Sequence, residues 1–341
     1  MMRACLGIVF CCLLVFHAPR SADAQPQQGD LPNPKTAYTN PHEADADFAF
    51  QGEYVRWTRT GDSAGLQVVA LGGGEFQAVW FRGGLPGAGW DRKTQVQLTG
   101  TYNKSGVAWL TGEGLTIQVA GGEARIMQAE GITSAGVLYK IRRISATQDL
   151  RPPRGAIVLF NGTDTAAFEG AKITEEGLLA EGPITRDVFG DFYMHLEFRT
   201  PYMPYARGQA RGNSGVYVQR RYEIQVLDSF GLEGAFNEAG SLYRQRPPEL
   251  NMALPPLSWQ TYDIYFTAAR FDAAGKKTAN ARLTLLHNGE PVQSNVEITS
   301  KTGAGKPEGP EPGPILLQNH GDPVRFRNIW YVPGHAAPAC P

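Results

Sequence analysis

Short strand-like runs separated by glycine and proline limit the fold of this chain more than any other feature. Residues 65–71 and 75–81 are two such runs, and the turn signal Gly72-Gly73-Gly74 stands between them. No long stretch has the 3.6-residue periodicity of an amphipathic helix. The 341 residues include 40 glycines and 24 prolines, and 42% are hydrophobic, so frequent turns coexist with enough apolar residues for a core. We therefore predict an all-β protein.

The first 24 residues have the pattern of a secretory signal peptide. Arg3 precedes an apolar run at 4–16, and the small residues Ala22 and Ala24 stand just before Gln25. We expect residues 1–24 to be removed and the protein to be exported to the periplasm or the extracellular space. The apolar run is shorter than the about 20 residues that span a bilayer, so no membrane insertion is expected.

Cysteine content limits the disulfides of the mature chain, and net charge limits the partners that it could bind. Three of the four cysteines lie in the expected signal peptide, which leaves Cys340 alone and excludes an intramolecular disulfide in the mature chain. The formal net charge of -1 gives no basic surface for nucleic acid or for an anionic membrane. The sequence carries no signal for an oligomeric state.

Composition divides the remaining chain into two β-rich blocks. Residues 25–47 are polar and rich in proline, which predicts a flexible tether. The segment 145–155 contains two consecutive prolines, which cannot continue a helix and suit a linker. We accordingly predict an N-terminal β-rich domain at 48–150, a second domain at 156–333 and a tail at 334–341.

The second domain carries many strand-like runs and no convincing helix. So many antiparallel-type strands in one domain predict a two-sheet sandwich or jelly roll. The predicted strands cover residues 157–160, 192–200, 214–220, 222–227, 259–268, 281–287, 315–317 and 324–331.

Two of these strands carry polar side chains on one face. In the run 192–199, a period of two places His195 and Glu197 opposite a face of apolar residues, so their face is predicted to be functional or solvated. In the run 222–228, Glu223 and Gln225 likewise share a face. Strict alternation sends Asp228 to the apolar side, but a bulge just before it would return it to the face of Glu223.

The Glu-x-Gln-x-x-Asp spacing at 223–228 resembles the Glu-x-Asp-x-x-Glu strand of glucanases with the concanavalin A-like fold. Paired carboxylates can divide acid and base roles, and an amide can hold a sugar hydroxyl. Here the middle residue is Gln225 and the last is the shorter Asp228, so the acid and nucleophile pair of those enzymes does not transfer directly. For this motif alone, a solvated polar strand face is the alternative.

Four longer motifs resemble the 3-keto-disaccharide hydrolase (DUF1080) family over about residues 156–333. They are LFNGTD at 159–164, NSGVY at 213–217, RYEIQVLDS at 221–229 and LQNHGDPVRFRNIW at 317–330. The resemblance implies a concanavalin A-like jelly roll that acts on 3-keto-glycosides, through a lyase and hydratase sequence in some members.

A ketone at C3 of a sugar acidifies the C2 proton, so a base can remove that proton and expel the C1 substituent, after which water adds to the enone. Such a route needs a base, a group that polarises the developing enolate, and an acid for the leaving oxygen. Glu223 is the first choice for acid and base work, with Asp228, His195 and His320 as catalytic partners. The candidate substrate-binding residues are Gln225, Arg221, Asn213, Gln318, Glu197 and Arg325. The loops at 202–212, 230–250 and 301–314 are the predicted cleft walls.

Three alternatives stay open at this point. No cofactor is predicted, but His195, Glu197, Asp228 and His320 are residue types that could collect a divalent cation, although their spacing is not diagnostic. A non-catalytic carbohydrate-binding protein would use the same sandwich. A conventional glucanase would need two suitably spaced carboxylates.

Overall fold

Antiparallel β-sheet accounts for almost all regular structure in the computed structural model, which describes residues 33–59, 61–103, 105–129 and 136–334. The helices of these residues are two short 3-10 helices, Ala46–Ala49 and Gly208–Ala210. Neither is long and apolar enough to cross a membrane. The predicted all-β class is confirmed. The expected signal peptide, the four cysteines and residues 335–341 of the expected tail lie outside the described residues.

Eight strands in the first part of the described chain form a closed sheet, which we call the barrel. Each strand pairs with the next in sequence, and β1 pairs with β8 to close the sheet. The strands are β1 Gly52–Arg56, β2 Ala64–Gly72, β3 Glu75–Arg82, β4 Gln95–Tyr102, β5 Ala108–Gly112, β6 Leu115–Ala120, β7 Glu123–Ala129 and β8 Gly136–Ile141.

Alternation of side chains along the strands fills the barrel. In β6, Leu115, Ile117 and Val119 are buried, and the residues between them are partly exposed. Large aromatic residues complete the interior, among them Tyr54 and Trp80, which are almost inaccessible to solvent. The barrel therefore has a packed apolar core of its own.

A two-layer sandwich follows the barrel. The larger sheet has the order β11-β22-β13-β16-β19-β20 with β9 beside β22, the smaller has the order β10-β12-β21-β14-β15, and β17 pairs with β18 in a separate ribbon. The strands are β9 Ile157–Phe160, β10 Phe168–Glu169, β11 Leu179–Ala180, β12 Ile184–Thr185, β13 Phe192–Arg199, β14 Ser214–Val218, β15 Tyr222–Val226, β16 Gln260–Thr267, β17 Arg270–Phe271, β18 Lys277–Ala279, β19 Ala281–His287, β20 Glu290–Ile298, β21 Leu316–Leu317 and β22 Arg325–Pro333.

Apolar faces of the two sheets meet to form the main core. Phe192 and Phe198 of β13 and Val216 and Ile224 of the β14–β15 hairpin belong to one buried cluster. This packing of two antiparallel sheets is the predicted jelly-roll sandwich. The polar faces of β13 and β15 point away from this core. The face of β13 lies beneath residues 147–149, and the face of β15 lies among the loops 202–212, 230–250 and 301–314.

The segment before β1 packs against the protein where the sequence predicts a flexible tether. Tyr38 and Tyr202 exchange two backbone hydrogen bonds, of 2.9 and 3.0 Å. The Tyr202 hydroxyl donates to Asp45 at 2.9 Å, and the buried carboxylate of Asp47 accepts from the backbone N–H of Gly74 at 2.8 Å. The Tyr38 ring also stacks on the Tyr202 ring, with centroids 5.8 Å apart, and these contacts hold residues 38–47 against the protein.

A charged pair anchors the chain where it leaves the barrel. Arg143 donates to the two carboxylate oxygens of Glu53 at 2.7 and 2.5 Å and to the carbonyl of Pro86 at 2.6 Å. Glu53 is 1% exposed and also accepts from Gln67 at 3.0 Å. Residues 33–334 form one compact unit. The division into domains at 48–150 and 156–333 stays a prediction.

We expect Arg143→Met to lower the free energy of unfolding by about 3–5 kcal/mol, because it leaves the Glu53 carboxylate buried without its cation. Chemical denaturation measures this change. The double variant Arg143→Met/Glu53→Gln should recover part of the loss, since it removes the uncompensated charge. A single variant as stable as the parent would show that the pair does not hold the fold.

Candidate active site

A tight hairpin places the side chains of the site. In β14 and β15, Tyr217 pairs with Glu223 and Gly215 pairs with Gln225, so these four residues share the face that points away from the core. The connecting turn is left-handed at the non-glycine residues 219 and 220, with φ of 53° and 57°. Turns of this kind match the twist of a hairpin and fix its register.

The polar face of the hairpin forms the floor of a small cleft of ≈180 Å³. Each of the three loops predicted as cleft walls contributes a residue to it: Gln209, Tyr243 and Ala304. The nine lining residues are Gln209, Asn213, Tyr217, Glu223, Gln225, Tyr243, Ala304, Gln318 and His320.

Glu223 is buried in this cleft and held at both ends. Its carboxylate accepts from the Tyr217 hydroxyl at 2.6 Å, and its backbone N–H donates to Thr302 Oγ1 at 2.7 Å. Burial raises the pKa of Glu223 to about 7, although hydrogen bonds from Tyr217 and Gln318 act in the opposite direction. A carboxyl group with this pKa exchanges a proton readily near neutral pH.

Gly215 is required for space and not for backbone conformation. A Cβ atom at this position would lie 2.8 Å from Glu223 Oε1 and 3.0 Å from Gln318 Oε1. The Gln225 amide lies 3.2 Å from the same Glu223 oxygen and 3.1 Å from the Ser214 carbonyl, and its nitrogen fits best on that side. The absence of a side chain at Gly215 thus lets the carboxylate and two amides converge.

The structure brings five of the predicted site residues together in this cleft. Glu223 and Gln225 lie on β15, and Asn213 immediately precedes β14, where its side chain donates to the Gln209 carbonyl at 2.7 Å. Gln318 and His320 follow β21, and His320 is exposed at the edge of the cleft. The cleft therefore combines one buried carboxyl group with amides, two phenols and an imidazole.

Asp228 does not reach the cleft. It follows the end of β15, and its carboxylate accepts from Arg211 Nε at 2.7 Å. Both side chains are buried, and Arg211 also donates to the carbonyl of Ala70 in the barrel at 3.3 Å. A buried carboxylate needs a counter-charge, and Arg211 supplies it, so the structure places Asp228 in a charged pair and not beside Glu223.

His195 and Glu197 lie in the other sheet, away from Glu223. His195 Nδ1 is 2.8 Å from Asp263 Oδ1, and Glu197 accepts from Arg327 Nε at 2.8 Å. The predicted linker, 145–155, covers them, since the backbone N–H of Asp149 donates to Glu197 at 2.6 Å. The face predicted to be functional or solvated on β13 is therefore a buried polar network.

The pKa values in this network follow from its pairings. Burial favours neutral forms, but the hydrogen bond and charge of Asp263, together with those of Glu197, outweigh it and raise the pKa of His195. Glu197 is also buried, yet hydrogen bonds from His195 and Asn328 and the charge of Arg327 lower its pKa to about 2. The charges of this network are therefore compensated by one another.

The two arginines that were predicted to bind substrate instead contact other parts of the protein. Arg221 donates to the carbonyl of Pro307 at 3.1 Å and to Gln219 at 2.9 Å, which fastens the 301–314 loop to the hairpin. Arg325 forms a salt bridge of 2.7 Å with Glu181. Neither arginine lines the cleft, so their predicted contact with substrate has no support in the geometry.

The four residues considered as cation ligands lie in three separate places. His320 is at the cleft, Asp228 pairs with Arg211, and His195 and Glu197 belong to the covered network. Across residues 33–334, as far as they are described, no group of three or more His, Cys, Asp and Glu side chains is arranged to hold a metal ion.

Sequence reasoning missed Tyr217, Gln209, Tyr243 and Ala304 as residues of the site. Tyr217 was recoverable, because a three-residue connection at 219–221 sets it directly opposite Glu223 in an antiparallel pair. The other three stand on loops whose paths have no periodic signal.

Comparison with known proteins identifies a family whose model matches the part of the chain that carries the cleft. Residues 155–331, slightly more than half of the chain, match the model of a family described as "3-keto-alpha-glucoside-1,2-lyase-like domain". This segment contains all nine residues that line the cleft. No curated protein matches the chain.

Among solved structures, the chain is similar to three proteins from Parabacteroides distasonis, each described as a "putative glycosyl hydrolase". The first is 34% identical with a TM-score of 0.49, over 53% of this chain and 84% of that chain. The second is 20% identical with a TM-score of 0.40, over 53% of this chain and 94% of that chain. The third is 21% identical with a TM-score of 0.36, over 53% of this chain and 99% of that chain.

The two buried carboxylates of the hairpin region should respond oppositely to amide substitution. The pKa of Glu223 is raised from 4.5 to about 7 in the folded protein, so its contribution to stability is complete below pH 4.5 and is lost as the pH rises through 7. We therefore expect Glu223→Gln to be more stable than the parent by about 3 kcal/mol at pH 9 and nearly equal to it at pH 4.

Asp228→Asn should instead destabilise the protein at neutral pH, by about 3 kcal/mol, because Arg211 is left buried without its anion. Urea denaturation of the parent and both variants at pH 4, 7 and 9 measures these differences. Equal destabilisation by the two substitutions at pH 9 would contradict the assignment of Glu223 as the uncompensated carboxylate.

Proposed function

The chain belongs to the family of 3-keto-alpha-glucoside-1,2-lyase-like domains, and on this basis we propose that it cleaves 3-keto-glycosides by elimination followed by hydration. It is a carbohydrate-active enzyme of the glycoside-cleaving kind. Elimination requires a base next to C2 of the sugar. The observation that carries the proposal is the uncompensated carboxyl group of Glu223, the one carboxyl group among the described residues that line the cleft.

In the proposed reaction, Glu223 begins as the base. Its carboxylate takes the proton from C2, the C2–H electron pair forms the enolate with the C3 ketone, and collapse of the enolate breaks the C1–O bond. The leaving oxygen gains a proton, and the sugar leaves as an enone with a double bond between C1 and C2. Water then adds its oxygen to C1 and a proton returns to C2, so the sum of the two steps is hydrolysis.

Other residues of the cleft have chemistry that suits the remaining roles. His320 is exposed at the edge of the cleft, where a leaving group would depart, and it is the proposed donor to the leaving oxygen. The amides of Gln225, Gln318 and Asn213 can hold sugar hydroxyls and the polarised ketone. Tyr217 keeps the Glu223 carboxylate oriented through its hydrogen bond of 2.6 Å.

The size of the cleft limits what it can enclose. Its volume of ≈180 Å³ lies below the about 300–1,000 Å³ of pockets for drug-sized ligands. One sugar ring suits such a volume better than two. We therefore propose that the oxidised ring enters the cleft and that the leaving group remains outside it.

A conventional glucanase is disfavoured by the same lining. Direct displacement needs two carboxyl groups, about 5–5.5 Å apart for retention or about 6.5–9.5 Å apart for inversion. Of the nine described residues that line the cleft, only Glu223 carries a carboxyl group. Asp228, the second carboxylate of the Glu-x-Gln-x-x-Asp motif, is neutralised by Arg211.

Export of the protein is part of the proposal. The sequence at 1–24 supports it, with a basic residue, an apolar run and small residues before Gln25. A periplasmic or extracellular enzyme would meet glycosides outside the cytoplasm.

The direct test of the substrate class compares 3-keto-glycosides with their unoxidised parents. We expect release of the leaving group from the 3-keto compounds alone, because only their C2 proton is acidified. Glu223→Gln should lower turnover by about 10²–10⁴-fold, while binding is retained, since the amide cannot accept the proton. Glu308→Gln is a matched control, because Glu308 accepts from Tyr222 at 2.6 Å outside the cleft. Binding of 3-keto-glycosides without turnover would favour a carbohydrate-binding protein.

Isotope and pH measurements test whether the reaction is an elimination and whether Glu223 is its base. In D₂O the hydrated product should carry deuterium at C2, and kcat/KM should rise with pH through about 7, because the base works only when it is deprotonated. A product with hydrogen alone at C2 would exclude elimination. A rate that falls with pH through 7 would make Glu223 the acid.

A further inference from the structure

A second cavity, of ≈330 Å³, lies between the barrel and the loop before β16. Its lining includes Gln51, Lys140 and Arg142 from the barrel side and Pro255 and Leu257 from the loop. Its volume falls within the range of about 300–1,000 Å³ that is typical of small-molecule sites. The cavity shares no lining residue with the cleft of Glu223, and the proposed function gives it no role.

Gln51 brings an unused hydrogen-bond donor to this cavity. Its Oε1 accepts from the backbone N–H of Ala70 at 2.8 Å, which fixes the orientation of the amide. Gln51 is 3% exposed, and its Nε2 has no hydrogen-bond partner among the described residues. A buried donor without an acceptor is costly, so an oxygen atom from outside the chain is expected beside it.

The charges around the cavity favour an anion. Three basic residues and one acidic residue line it, and the acidic residue, Glu53, is neutralised by Arg143. Lys140 Nζ donates to the Ala49 carbonyl at 2.6 Å but forms no ion pair within the described part of the chain. Burial lowers the pKa of Lys140, as expected for a cation without a counter-charge. Arg142 is exposed beside it.

Gly52 allows Lys140 to occupy this position. A Cβ atom on Gly52 would lie 2.9 Å from Lys140 Cε, so the glycine leaves room for the lysine stem to cross β1. The φ of Gly52 is 140°, a value that other residues rarely adopt. The lysine stem thus passes over β1 at Gly52, and the carbonyl of Ala49, at the end of the first 3-10 helix, holds the ammonium group.

Apart from Ser258, the remaining walls are apolar. Phe48, Ile141 and Leu257 line the cavity together with three prolines. We propose that the cavity binds a small organic carboxylate, whose oxygens accept from Gln51 and Lys140 and whose apolar body packs against these walls. Charge-assisted hydrogen bonds would fix the carboxylate, and burial of the body would supply the remaining affinity.

Calorimetric titration with 2-naphthoate tests this assignment. The neutral analogue 2-naphthalenemethanol has nearly the same shape and should bind at least about tenfold more weakly, because it lacks the charge. Glucuronate carries the same carboxylate on a polar ring and should also bind more weakly. Equal binding of the neutral analogue would overturn the anion site, and tighter binding of glucuronate would overturn the apolar ligand.

Two variants locate the binding. Lys140→Met keeps the stem and removes the charge, and Gln51→Glu keeps the acceptor for Ala70 and removes the donor. Each should weaken 2-naphthoate binding at least about tenfold, whereas Lys172→Met, at an exposed lysine outside the cavity, should leave it unchanged. Thermal melting confirms that each variant is folded. No binding to the parent protein, or unaltered binding to a folded Lys140→Met variant, would overturn the proposal.

Discussion

The pairing register of the β14–β15 hairpin is the constraint on which the site depends. Because paired residues point to the same face, this register sets Val216 and Ile224 in the core between the sheets and Tyr217 and Glu223 in the cleft. A slip of one residue would exchange the two sets and place the carboxyl group between the sheets, where nothing could reach it. Gly215 completes the arrangement, because any side chain there would occupy the space of the Glu223 carboxylate. The fold thus determines both the access to Glu223 and its surroundings.

Burial has opposite consequences for the carboxyl groups of this domain, according to the partner that each one finds. Glu197 and Asp228 are buried beside Arg327 and Arg211, and the charged form of Glu197 is stabilised so strongly that its pKa falls to about 2. Glu223 is buried beside a phenol and amides, which donate hydrogen bonds but carry no charge, and its pKa rises to about 7. Three acidic residues that look alike in the sequence therefore divide into two structural anions and one group that can exchange a proton.

Local patterns predicted much of the fold and about half of the site. Alternation along 222–226 correctly placed Glu223 and Gln225 on one face, and the three loops named as walls each reach the cleft. The same alternation was also right that His195 and Glu197 share a face, but it could not show that residues 147–149 cover that face. The position of Asp228 depends on Arg211, which is distant in sequence, and closure of the barrel depends on β1 meeting β8. Two-residue strands such as β10 and β12 have no periodicity to detect, and β20 is interrupted by bulges.

The central claim is that Glu223 is an uncompensated carboxyl group poised to exchange a proton near neutral pH. Titration of the side-chain carboxyl carbons by ¹³C NMR, in protein labelled at the glutamate δ carbon, measures this property without any substrate. The account predicts one resonance with a pKa of about 7 that disappears in Glu223→Gln. A resonance assigned to Glu223 that titrates at or below 4.5 would contradict it, because the carboxylate would then be stabilised by a partner that the geometry does not contain.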